Sequence, residues 1–251
     1  MKNLSQYTFW SLCLVVLSYL NVGDAAYGST QDLVFSPDDN PYNKTYSDWA
    51  REWWQWHISI PDIKENTSLA HPRDSYSPEK CSWNQKSDAV WFLPDGKDQP
   101  DLSTAEIREC AVPEGKALLV QIVGSGCSTG EGLRNDQELL DCAVWVLPTA
   151  EFSASIDGTE VMNTRSDPTD RNEFYVEPFK TNLTYAERNY YEVIPGTYDG
   201  MVAGYYLFVP PLSPGKHEIE FSESAIEFLS GFPSDKRLSN VKYNITVTPD
   251  T

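Results

Sequence analysis

Four tryptophans, Trp49, Trp53, Trp54 and Trp56, crowd into eight residues, and that crowding restricts the possible architectures more than any other feature of the chain. Thr45 with Asp48 three residues on makes a capping-box-like start, and Pro61 sets the limit at the other end, so the window reads as a helix from Thr45 to His57. At 100° per residue the four indoles, Ala50 and His57 fill one broad arc, while Asp48, Arg51, Glu52 and Gln55 fill the rest. Rings that each bury about 150–250 Å² need a partner surface as wide as a sheet. The expected arrangement is a helix lying on a sheet with its rings sealing the core. The rival arrangement leaves one or two of Trp49, Trp53, Trp54 and Trp56 exposed as a ligand-binding platform for sugar or another flat molecule.

From residue 89 onward the sequence is written in short apolar runs bounded by Pro, Gly, Asn or Asp: Ala89 to Leu93, Lys116 to Val123, Ala143 to Leu147, Glu151 to Ile156, Phe174 to Val176, Tyr205 to Val209, Lys216 to Phe221 and Val241 to Val247. Asp157-Gly158 between two such runs is a hairpin signal. The pattern predicts a mainly β fold, an antiparallel β-sandwich or barrel-like variant, with one N-terminal Trp-rich helix packed on it. Ser222 to Asn240, which contains Ala225, Ile226, Phe228 and Leu229, reads as a stretch holding a short helix.

The start of the chain has one cation, Lys2, then an apolar run from Tyr7 to Leu20, then Gly23 and Ala25 at the positions a signal peptidase reads. That run is shorter than the roughly 20 residues of a membrane span. Residues 1–25 are therefore expected to be a cleaved signal peptide, 26–44 an irregular arm and 45–251 one β-rich domain, secreted or held on the cell-envelope exterior with no stable membrane insertion. Cleavage removes Cys13 and leaves Cys81, Cys110, Cys127 and Cys142, an even number that reads as two disulfides in an exported chain. The strand-like Lys116 to Val123 separates Cys110 from Cys127, which favours Cys81 with Cys110 and Cys127 with Cys142. Sequons at Asn43, Asn66, Asn182 and Asn244 are candidate glycosylation sites, and the alternation around Asn244 turns it outward. The net charge of −18 repels phosphate backbones, so nucleic acid is not an expected partner.

Few residues point to chemistry. His57, His71 and His217 read as satisfied core or turn histidines, no Gly-x-Ser-x-Gly elbow occurs, and no Cys-x-x-Cys spacing marks a metal. Neither a metal nor any other cofactor is expected. The least ordinary group is Glu131, Asp136, Glu138 and Asp141 with Arg134, inside the loop that a Cys127–Cys142 bridge would close. A pinned loop holds carboxylates in register, so Glu131, Asp136 and Glu138 are the catalytic candidates should the chain be a hydrolase.

Several segments in order, Trp53-Trp54-Gln55-Trp56 with Ser59-Ile60-Pro61, His71-Pro72-x-Asp74, Cys81-x-x-x-Gln85 with Val90-Trp91-Phe92-Leu93, Arg108-x-Cys110-x-Val112-Pro113-x-Gly115-Lys116-Ala117, and Pro211-Leu212-Ser213-Pro214-Gly215-Lys216-His217, resemble a family of exported microbial proteins without an established activity. His71 stands where that pattern has Asn, and Ser87-Asp88 where it has Gly-Pro. The resemblance implies a fold and a compartment and supplies no catalytic residue. The functional expectation is an exported, non-catalytic β-sandwich module that binds an extracellular ligand, carbohydrate among the candidates, or a cell-envelope partner. The alternatives are a carboxylate-based hydrolase of extracellular polymer and a purely structural surface protein.

Overall fold

The computed structural model describes residues 33–63, 69–165, 174–229 and 232–249, with the backbone path alone at 227–229 and 232–236. The expected signal peptide, residues 26–32 of the expected arm and the Asn66 sequon lie outside the described residues. Helix α1, Tyr46–Ile58, precedes β1 Val90–Leu93, β2 Glu106–Pro113, β3 Ala117–Ser128, helix α2 Asp136–Val144, β4 Glu151–Ile156, β5 Thr159–Asn163, β6 Tyr175–Tyr185, β7 Gly196–Val209, β8 Gly215–Leu229 and β9 Phe232–Thr248. The strands form two sheets, one in the order β1-β3-β7-β6 and the other β2-β9-β8-β4-β5. Together they make a sandwich whose sheets are open, not a closed barrel. Most neighbours run antiparallel, but β1 beside β3 and β2 beside β9 are parallel. The chain visits the other sheet between β1 and β3, and residues 114–231 intervene between β2 and β9.

The layering follows from alternation. Along β7, Met201, Ala203, Tyr205 and Leu207 face the core between the sheets, while Val202, Tyr206 and Phe208 face the helix. Strand β3 is buried on both faces, which is why its sequence reads as an unbroken apolar run instead of an alternating one. On its helix side Gly126 leaves the room that Trp54 fills: a Cβ there would lie 2.6 Å from the indole. Thr45 caps α1, its hydroxyl accepting the Asp48 N–H at 3.1 Å while the Asp48 carboxylate accepts the Thr45 N–H at 3.2 Å.

Two expectations fail. Ala143 to Leu147 is not a strand but the end of α2 and the turn after it. The described residues from Ser222 to Leu229 and from Phe232 to Asn240 are not helical but form the far parts of β8 and β9, with Glu223 opposite Ser239. Strand β2 is a third difference, absent from the sequence pattern because its inward residue Arg108 is charged. That side chain is fully buried, held by Asp95 O, Tyr243 Oη and Glu106 Oε2 at 2.9, 2.9 and 3.0 Å. Both disulfides pair as expected, Cys81–Cys110 and Cys127–Cys142.

Candidate functional site

The four tryptophans of α1 are interior. Trp49, Trp53, Trp54 and Trp56 are at most 4% exposed, and each indole N–H has an acceptor: Pro41 O at 2.9 Å, Leu93 O at 3.0 Å, Tyr206 Oη at 3.0 Å and Trp83 O at 3.0 Å. Trp56, beside Phe92, lines a cleft of about 390 Å³ that also carries Glu52, Asn84, Lys86 and Asp88.

The carboxylates of the disulfide-closed loop are engaged locally. Glu131 Oε2 accepts the Ser128 N–H at 2.6 Å and the Tyr185 hydroxyl at 3.3 Å. Glu138 is paired with Arg134, and Asp136 with Lys180. Asp141 accepts from Gln137 Nε2 at 2.8 Å. Glu131 precedes α2, whereas Asp136, Glu138 and Asp141 lie along it, and each serves a cap or a surface pair. Asn43 and Asn182 are exposed. Asn244 is half-buried, its Nδ2 donating to Glu109 Oε1 at 2.6 Å. Burial disfavours the charged form of His217, but the Asp157 carboxylate 2.7 Å away outweighs it and raises the pKa.

The other two histidines differ from each other. His71 is satisfied, with Nδ1 accepting the Arg73 N–H at 3.1 Å and Nε2 lying 3.2 Å from His57 O. His57 is buried, but neither ring nitrogen has a hydrogen-bond partner among the described residues, which corrects the expectation of a satisfied core histidine. Around it Asp95 receives Arg73 at 3.1 Å and Arg237 at 3.7 Å, and Arg237 also holds Glu223 at 2.8 Å. Burial raises the Glu223 carboxyl above its usual range, with Arg237 opposing.

Beside this network lies a groove of about 680 Å³ lined by residues 62–63, 188–189 and 192–195. Its wall is the connection 186–195 between β6 and β7, which is tied from within. Asn189 donates to Ala186 O at 2.9 Å and Val193 O at 2.7 Å and accepts the Val193 N–H at 3.1 Å. Pro61 pairs with Asn189 as an isolated bridge, and the Asp62 N–H reaches Arg188 O at 2.6 Å. Arg188 and Glu192 both adopt left-handed backbone, φ 55° and 57°, a conformation that costs a non-glycine residue of order 1–3 kcal/mol and persists where its surroundings impose it. Ile194 stands 76% exposed at the lip. Sequence reasoning misses this groove: Pro195-Gly196 marks a loop, but nothing local shows that Asn189 braces it.

No family model matches the chain, and no curated protein matches it. Among the described residues, no group of three or more His, Cys, Asp and Glu is placed to hold a metal ion, and no helix is long and apolar enough to cross a membrane.

Proposed function

We propose that the chain is a non-catalytic β-sandwich module that works outside the cell and binds a partner at the groove walled by 186–195. One observation carries the reading: a braced loop holds two strained residues, Arg188 and Glu192, beside an aliphatic side chain, Ile194, left in water. Pre-organisation of this kind lowers the ordering cost of binding. Among the lining residues Asp62 and Glu192 stand against the single cation Arg188, on a chain of net charge −18, and this balance favours a basic partner. Ile63, Val193, Ile194 and Pro195 favour aliphatic side chains over a sugar face. The ligand that fits is an extended basic peptide segment. Two disulfides support an oxidising compartment.

A peptide library panned against the protein and its Ile194→Asp variant, at 0.1 M and 1 M salt, tests this. Sequences with Lys or Arg next to aliphatic residues should be enriched, lost with the variant and weakened at 1 M, where the Debye length falls from about 10 Å to about 3 Å. Enrichment indifferent to Ile194 would remove the groove from the reading. The cleft beside Trp56 and Phe92 favours a second reading, a saccharide held by the polar groups Glu52, Asn84, Lys86 and Asp88 that line it. Glycan binding that is lost in Lys86→Ala and insensitive to salt would support it.

A further inference from the structure

Next to the groove lie two histidines: His57 has no acceptor within hydrogen-bond reach of its ring among the described residues, and His71 has one, His57 O, which its single ring N–H already uses. His57 is 1% exposed and stacks on Trp53 at 4.9 Å. The His71 ring, 0% exposed, is 4.4 Å from it. A proton on His71 Nδ1 would face the Arg73 N–H that this nitrogen now accepts. The groups facing the pair come from every neighbouring element: Arg73 from the segment after 69, Asp95 from the segment after β1, Arg237 from β9, and the phenols of Tyr190 and Tyr191 from the groove loop. Asp95, the nearest carboxylate, places Oδ1, itself without a hydrogen-bond partner among the described residues, 3.8 Å from His57 Nδ1, beyond hydrogen-bond reach, while its Oδ2 receives both guanidinium groups.

The same contacts reach the groove. The Tyr190 ring packs 5.1 Å from His71 and the Tyr191 ring 6.1 Å from His57. The His71 backbone N–H donates at 2.8 Å to Oδ1 of Asp62, which lines the groove.

We infer that the His57–His71 pair is an acid-operated release for the groove: protonating it displaces the loop 186–195 while the two sheets stay paired. That this frees a ligand rests on the proposed binding function, whereas the displacement does not. Burial, and then Arg73 and Arg237, lower the His57 pKa to about 3. Burial, and then His57, hold His71 well below its usual value. Displacing the loop lifts the Tyr190 and Tyr191 rings off the pair and admits water, which relieves the burial and moves both rings toward ordinary proton affinity, near about 6.5. The closed loop is therefore fully favoured above about pH 6.5 and loses ground as pH falls, about 10-fold per pH unit for each histidine and about 100-fold for the pair.

Hydrogen exchange of the whole chain between about pH 7 and 4.5, corrected for the intrinsic rate, measures this directly. Amides of 186–195 should open with a slope approaching about 100-fold per pH unit while β3 and β7 keep their protection. His71→Gln, which keeps a donor near His57 O, and His57→Phe, which keeps the stacked ring, should each reduce the slope to about 10-fold. Should either variant fail to fold, the other and the unmodified protein carry the test. A flat profile at 186–195, an unchanged slope in a folded variant, or equal opening of β3 and β7 would overturn the inference. Failure of the binding function alone would leave these profiles intact and show only as peptide binding indifferent to Ile194.

Discussion

A primary amide is a peptide group on a tether, and among the described residues four of them serve as backbone. Gln85 donates to Phe92 O at 2.8 Å and accepts the Phe92 N–H at 3.0 Å. Gln55 does the same for Thr184, Gln99 for Asn240 and Asn189 for Val193. Gln85 and Gln55 cover β1 and β6, the two edges of their sheet, where unpaired N–H and C=O groups would otherwise invite another strand. Gln85→Ala should cost about 1–3 kcal/mol in urea unfolding, since two backbone groups lose their partners. Gln85→Glu should be destabilising too, because a carboxylate cannot donate to Phe92 O, and stability equal to the unmodified protein would contradict this role.

Among the elements, β3 and α2 are joined covalently: the disulfide Cys127–Cys142 closes 15 residues. Loop closure of that length is worth about 3 kcal/mol. Replacing both cysteines with Ala should lower the unfolding free energy by that order, measured by denaturant titration without reductant, and an unchanged midpoint would mean that packing alone holds α2. The elements legible in the sequence are the local ones: the capped tryptophan helix, the disulfide pairing and the Asp157-Gly158 turn all depend on residues close along the chain. Strand β2 hides behind Arg108, whose burial is made possible by Tyr243, 135 residues away. The far part of the β8–β9 hairpin looks helical by composition, but its pairing decides its conformation. The buried network beside the groove has no sequence signature, since His57, Asp95, Glu223 and Arg237 meet only after folding.

For the molecule as a whole, the decisive strand is β9, which lies between β2 and β8, with Glu106 beside Val241. Strand β2 has β9 as its one neighbour in the sheet order. A chain cut after Asn240 loses every residue that pairs with β2, and Val241, Tyr243, Ile245 and Val247 leave the core between the sheets. Such a chain should show no near-UV circular dichroism and no cooperative melting. A native-like spectrum would show that β8 alone can hold the sheet.

The central place of β9 also orders events during synthesis. Strands β2, β4, β5 and β8 emerge before the strand that joins β2 to the others, so their sheet stays incomplete until residues 232–248 are free. Meanwhile Cys81 and Cys110 are both available, and their bridge fastens β2 to the turn Pro78–Ser82 while it waits. The sheet β1-β3-β7-β6, which ends its synthesis at Val209, has all its strands before β9 emerges, so the second sheet closes against a first one already supplied.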